Sequence, residues 1–260
     1  MESIYIVKVG GAIVEDEQRL GQLLRDFSAL PGRKILVHGG GRSATSLAER
    51  LGLESRMVNG RRVTDEGMLR VATMVYGGLV NKRVVARLQA EGVNALGLTG
   101  ADGNVIRGHR RPVTADGTDF GFVGDVEWVD ARLLSTLLEA GMTPVMAPLT
   151  HDGRGQLLNT NADTIASEVA KALADCYDVT LLYCFEKSGV LRDPNDDSSL
   201  ISVITPADFE RFVADGTVSG GMIPKLKNAL QAVATGVKQV IITRADAIDG
   251  HHGTVIKAEQ

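Results

Sequence analysis

Lys8 stands two residues ahead of Gly10 and Gly11, at the end of the apolar run "IYIVKV", and a second strand-forming run, "KILVH", stops at His38 and gives way to Gly39, Gly40 and Gly41. Glycine costs roughly 0.5–1 kcal/mol per position relative to alanine in regular structure, so a triple run points to a demand on the backbone that side chains would obstruct. A tight strand-to-helix turn is one such demand. The second glycine loop points to another. Beyond the carboxyl ends of parallel strands, backbone N–H groups and helix N-termini favour anions, and Lys8 adds a fixed positive charge beside them. These residues support the binding of at least one phosphate group, with backbone amides as donors. "GGGRSA" matches the loose pattern G-x-G-x-x-A, but it follows the second strand and no strand ending in an acidic residue appears about twenty residues on, which argues against a dinucleotide site. Neither a G-x-x-x-x-G-K-S/T loop nor a protein-kinase signature set occurs.

The elements that must position these groups read as alternating strands and helices. "IYIVKV" (4–9) is nearly continuous in apolar residues, as a strand covered on both faces should be. Leu20, Leu23, Leu24 and Phe27 fall at helical spacing within 16–29, and "KILVH" (34–38) and "RSATSLAERLG" supply the next strand and helix, closed by Gly52. The order β-α-β-α predicts a parallel sheet with helices on both faces. It recurs as helix 65–91, strand 93–98, helix 130–140, strand 143–147, helix 162–174, strand 179–184, helix 224–235 and strand 239–243, with a short last strand near Val255 and Ile256. Residues 100–128 break into short β-prone pieces with turn residues, which predicts hairpins added to one sheet edge. The seam between two lobes is placed near Asp175, giving an N-terminal lobe over 1–174 and a C-terminal lobe over 175–260.

Composition narrows the function classes. With 260 residues and 44% hydrophobic side chains, the chain can bury a sizeable core. Its net charge of −4, with scattered arginines, offers no basic field for nucleic acid. The opening "MESIYIVKVGG" carries too short an apolar run for a signal sequence or membrane helix, so a cytoplasmic location is expected. Cys176 and Cys184 form no C-x-x-C pair, and none of the five histidines has a carboxylate at the spacing of helical metal sites. Chemistry here must proceed mostly without imidazole, and His38 is expected to pack at a strand end.

"VKVGG", "VHGGG", "NGRRVT" (59–64), "LLNTNADTIA" (157–166) and "GGMIPK" (220–225) occur in this order, and with them the chain resembles the amino-acid kinase family over essentially its whole length. The resemblance is strongest to members that phosphorylate N-acetyl-L-glutamate in arginine biosynthesis. It implies a three-layer αβα sandwich on a largely parallel sheet, with the acyl-amino acid on the N-terminal lobe and ATP, carried with Mg²⁺, on the C-terminal lobe. Position by position, it implies that Lys8 and Lys225 bridge the transferred phosphoryl group and that Asp163 holds both lysines. It places Gly40, Gly41, Arg62, Asn159 and Asn161 around the acyl-amino acid. Gly10, Gly11, Ser188, Gly189, Thr217, Val218 and Ser219 fall along the nucleotide, although "FEKSGVL" (185–191) replaces the family's Asp-Val-x-Gly there. No protein-built metal site is expected, and Mg²⁺ would be held by the nucleotide phosphates and water. Arginine-inhibited relatives carry an extra N-terminal helix that links dimers into hexamers, whereas here the first strand begins by about Ile4, so a homodimer insensitive to arginine, with small-molecule partners, is expected. A carboxylate nucleophile needs no general base, in keeping with the scarcity of histidine. An N-succinyl in place of an N-acetyl group would need a further cation, for which Arg107, Arg110 and Arg111 are candidates. Other readings from these residues are a kinase for a different small acceptor, or a nucleotide sensor without catalysis.

Overall fold

In the computed structural model, β1 (Glu2–Val9) is the middle of the molecule because almost all of it is apolar and can be covered on both faces. All residues are described except Asn59, Gly60, Pro194, Gly221 and Gln260, with the side chain of Pro224 also left aside; parts of the "NGRRVT" and "GGMIPK" motifs therefore lie outside the described residues. After β1 come a short helix α1 (Gly11–Glu15) and α2 (Glu17–Ala29), whose N-terminus is capped by the Asp16 carboxylate accepting from the amides of Gln18 and Arg19. β2 (Arg33–His38) and α3 (Gly41–Arg50) follow, then a small hairpin of β3 (Met57–Val58) and β4 (Arg61–Arg62). The long helix expected over 65–91 is present as α4 (Glu66–Ala72), a π-helical segment (Thr73–Val80) and α5 (Asn81–Ala90). π-helical turns are uncommon and cluster at functional sites, and this one carries Tyr76 toward Gly40.

β5 (Ala95–Leu98) returns to the sheet, and β6 (Ile106–Arg110) and β7 (Val123–Val129) leave it. They do not form the edge hairpins expected over 100–128. Together with β9 (Leu149–His151) and β10 (Leu157–Thr160), which follow strand β8 (Thr143–Met146), they close a separate four-stranded barrel. The physical reason is internal fit: the Thr150 and Thr160 hydroxyls bond at 2.8 Å inside it, and a Cβ on Gly124 would come within 2.6–2.9 Å of those two residues and Leu158. Between β7 and β8 lies α6 (Ala131–Glu139), and after the barrel come α7 (Ala162–Leu173) and β11 (Tyr177–Phe185). The chain ends with β12 (Val203–Ile204), α8 (Pro206–Ala214), α9 (Met222–Ala234), β13 (Gln239–Arg244) and β14 (Thr254–Ile256). Pro224, expected at the first helical position, is the third residue of α9, where the amide it lacks is still one that the first turn leaves unpaired.

The main sheet has eight strands in the order β12-β14-β13-β11-β1-β2-β8-β5. It is parallel from β13 to β5, and β14 runs antiparallel to β13. One core packs Ile4 and Ile6 of β1 against α6, α7, α8 and α9; the other packs Val7 and Val9 against α1 to α5. The three-layer αβα sandwich expected from the sequence is therefore what forms. Strand alternation then decides where Lys8 goes: sharing parity with Ile4 and Ile6, it emerges on the α7 and α9 side at the carboxyl end of β1.

Candidate active site

Lys8 Nζ lies 2.8 Å from Asp163 Oδ1, and the lysine is only 7% exposed. Asp163 occupies the first turn of α7, whose N-cap is Asn161, the side-chain oxygen accepting from the Thr164 amide at 3.1 Å. Lys225 enters from the first turns of α9. Its ammonium sits 3.8 Å from the centroid of the Phe185 ring, and that of Lys8 sits 5.4 Å from the same centroid. One ring at the end of β11 thus gathers amines from elements far apart in sequence, within reach of cation–π attraction. Burial pushes the Lys225 ammonium below the ordinary lysine range; the Asp163 carboxylate opposes that shift and the Lys8 ammonium adds to it. The crevice around these groups, about 690 Å³, is lined by Gly10, Gly11 and Gly189 besides the charged residues. Lys8, Lys225, Lys187, Arg42 and Arg62 against the carboxylates of Asp163 and Glu186 leave it electropositive. A larger cavity of about 950 Å³ opens beyond Phe185 between α2 and the end of β13, but its Arg244 is paired with Asp246 at 2.8 Å and no lysines converge there. Charge, not volume, marks the site.

The glycines have two different reasons to be glycine. A Cβ on Gly39 would lie 3.0 Å from the Gly11 nitrogen, and one on Gly11 would lie 3.3 Å from the Gly41 nitrogen. The two loops therefore pack backbone against backbone before any ligand enters. Gly10 is open: its added Cβ would meet nothing nearer than the Cys184 carbonyl at 3.9 Å and Lys8 Nζ at 4.0 Å. Sequence reasoning missed Glu15, whose carboxylate accepts from both the amide and the hydroxyl of Ser43 and so caps the first turn of α3. An anion arriving at that helix finds one of its amides already engaged.

Beside the crevice, sharing Gly41, Met57 and Arg62 as walls, is a cavity of about 210 Å³ that also meets Arg61, Tyr76 and Arg111. Gly40, Asn159 and Asn161 line it as well. Arg62 donates to the Gly41 carbonyl at 2.9 Å, to Thr45 Oγ1 at 2.8 Å and to Ser55, so its guanidinium is fixed without a carboxylate partner among the described residues. Asn159, on barrel strand β10, donates to Thr64 Oγ1 at 2.9 Å. Arg111 follows β6, and its Nε stands 3.1 Å from both oxygens of Asp125, which holds that carboxyl below the usual carboxylate range. Burial and the neighbouring Arg111 cation push Arg61 below its ordinary value. Of the three arginines raised for an acyl tail, Arg111 alone reaches this cavity; Arg110 pairs with Asp119 at 2.9 Å and Arg107 lies 3.8 Å from Glu127.

The remaining predicted positions are less gathered. Gly189 and Lys187 line the lysine crevice, whereas Ser188 beside them does not. Val218 is buried in the core against α8, Thr217 is half-buried with its amide on Asp215 at 2.9 Å, and Ser219 is exposed; none of the three lines the crevice. Phe185, Arg61 and Tyr76 were not singled out from the sequence, because an aromatic at a strand end or a second arginine beside Arg62 carries no chemical signature of its own.

The model of the amino acid kinase family matches residues 3–244. The chain belongs to that family. An acetylglutamate kinase from Phocaeicola vulgatus is 66% identical over 256 residues, covering 98% of this chain and 99% of its own length. Among solved structures, the N-acetylglutamate synthase from Neisseria gonorrhoeae, complexed with coenzyme A and N-acetyl-glutamate, aligns with a TM-score of 0.82 at 26% identity, over 99% of this chain and 60% of that one. The carbamate kinase from Giardia lamblia bound to AMP-PNP aligns with a TM-score of 0.67 at 14% identity over 99% of both chains, and so shares the amino acid kinase fold.

Proposed function

We propose that this protein transfers the γ-phosphoryl group of ATP to the side-chain carboxylate of N-acetyl-L-glutamate, forming N-acetyl-L-glutamyl 5-phosphate for arginine biosynthesis. The observation that carries the reading is the convergence of the Lys8 and Lys225 amines on one ring, with Asp163 bound to Lys8 at 2.8 Å. The near-full-length likeness to acetylglutamate kinases supports the choice of acceptor. Here one anion must approach another. Preorganised cations lower that barrier by neutralising the equatorial oxygens of the moving phosphoryl group. Lys8 and Lys225 supply those charges, and Asp163 holds Lys8 in place; the acceptor carboxylate attacks without a base.

Arg62, Asn159, Asn161 and the Gly40–Gly41 turn hold the acyl-glutamate in the smaller cavity. Gly10 and Gly11 receive the phosphates in the larger one, with Gly189 along the nucleotide beside them. On this assignment residues 1–174 form the acceptor lobe and 175–260 the nucleotide lobe. Mg²⁺ enters with the nucleotide, held by its phosphates and water. No described helix is long and apolar enough to cross a membrane, and the reading places the enzyme in the cytoplasm. Exposed Leu51 at the end of α3 and Met74 and Leu79 on the π-helical segment offer apolar surface that a homodimer would cover. ADP release that requires acyl-glutamate, with hydroxylamine trapping the acyl phosphate as a hydroxamate, tests the reaction; acceptor-independent ADP release, or none, would overturn it.

One observation favours a second reading of the acyl group. Arg61, Arg62 and Arg111 face one small cavity with Asp125 as their nearest paired carboxylate, which suits a ligand with an additional carboxylate, as in N-succinyl-L-glutamate. Steady-state comparison of the two substrates decides between them.

A further inference from the structure

His38 closes β2 with no exposed surface. Its Nδ1 contacts the Gly39 carbonyl at 2.8 Å, and its Nε2 contacts Asn81 Nδ2 at 3.1 Å. A carbonyl on one side and an amide nitrogen on the other admit one arrangement: Nδ1 carries the proton and Nε2 accepts. Asn81 is itself fixed. Its amide also donates to the Val145 carbonyl at 2.9 Å, and its oxygen accepts from Lys82 Nζ at 3.1 Å. It is the first residue after the π-helical segment, and β5 leaves room for it, since a Cβ on Gly97 would lie 2.0 Å from its oxygen. Burial pushes the imidazole down to about 4, so it stays neutral. The Gly39 amide is held too, donating to the Val9 carbonyl at 2.9 Å.

The peptide after Gly39 is planar and trans, so a carbonyl held toward the imidazole sends the Gly40 N–H the opposite way. Among the described residues nothing accepts from that N–H, and Gly40 lines the arginine cavity. We propose that His38 is a positioning residue that acts through the Gly39 carbonyl to aim the Gly40 amide at the acyl-amino-acid substrate. The inference rests on the function proposed above.

Two substitutions separate its parts. His38→Asn keeps a donor at the place of Nδ1, while His38→Gln keeps the reach to Asn81 and loses the donor to Gly39. His38→Gln should raise KM for N-acetyl-L-glutamate about tenfold with KM for ATP within about twofold, and His38→Asn should stay within about threefold of the unaltered enzyme, the scale of one hydrogen bond. Equal KM changes in both variants, following their loss of Tm, would overturn the role. Should neither variant fold, ¹⁵N shifts of the unaltered protein give the tautomer directly: a protonated Nδ1 beside a bare Nε2 supports the proposal, and a protonated Nε2 defeats it. An unaltered enzyme with the expected tautomer but no acceptor-dependent turnover would count against the proposed reaction instead.

Discussion

The lysine crevice and the arginine cavity share Gly41 and Arg62 as walls, yet they hold positive charge in opposite ways. In the crevice, Lys225 is an ammonium on a flexible stem, raised in energy by burial and steadied by Asp163. In the cavity, Arg62 and Arg111 are planar forks already engaged, one by backbone and hydroxyl oxygens and the other by Asp125. A compact ammonium can follow a group that moves during reaction, whereas a fixed fork recognises a carboxylate that stays put. The lysines should therefore govern kcat and the arginines KM.

The sharpest way to break that contrast is Lys8→Ala. Removing a charge that acts on the transition state should lower kcat about 10²–10³-fold and leave KM for acyl-glutamate within a few-fold, measured by hydroxamate formation. A pure KM effect would make Lys8 a binding residue like Arg62. Next in size is Asp163→Asn, which leaves two ammonium groups near one ring without their carboxylate. Asp163 raises the proton affinity of Lys225, so the variant should lose activity at lower pH on the alkaline side than the unaltered enzyme, in which burial already lowers the Lys225 ammonium below the ordinary lysine value. Stability moves the other way. Between the depressed folded value and the ordinary one, the unfolded chain binds the proton more tightly, so global stability rises with pH while activity falls. An unshifted kcat–pH profile would show that Lys225 need not be charged.

Much of this was legible because Lys8, the glycine loops and the helix start at Asn161 are local signals: strand alternation and capping follow from neighbours in sequence, whereas the start of α9 lies two residues ahead of the Pro224 expected to open it. The crevice was legible only through ordered motifs, since the meeting of β1, α7 and α9 is a property of the sheet order. Phe185 was invisible for that reason, as its role depends on β11 lying beside β1. The barrel was misread as edge hairpins because its closure depends on β9 and β10, too short and too weakly patterned to stand out. Glycine itself was half-read: a demand for bare backbone was evident, but not that Gly39 and Gly11 make it of each other.

On the arginine side, Arg62→Lys should raise KM for acyl-glutamate about tenfold and spare kcat, because an ammonium cannot reproduce the contacts to Gly41, Thr45 and Ser55 while also facing the ligand. Arg111→Gln sharpens the acyl question. If the tail carries a carboxylate, the substitution should lower kcat/KM for N-succinyl-L-glutamate by about tenfold and leave N-acetyl-L-glutamate almost unchanged. Equal effects on both would place Arg111 at a group the two substrates share.

The smallest effect expected separates the two uses of glycine. Gly39→Ala sets a Cβ 3.0 Å from the Gly11 backbone, which cannot swing aside as a side-chain end can, so the variant should lose about 1–3 kcal/mol in denaturant unfolding. Gly10→Ala has its nearest neighbours at 3.9 and 4.0 Å and should unfold within about 0.5 kcal/mol of the unaltered protein. Its methyl group, however, would stand beside Lys8 Nζ on the crevice wall, so KM for ATP should rise a few-fold even though the fold is untouched. If Gly10→Ala instead destabilised the chain as much as Gly39→Ala while leaving KM for ATP alone, both loops would be glycine for packing alone, and the phosphates would have to be held by side chains.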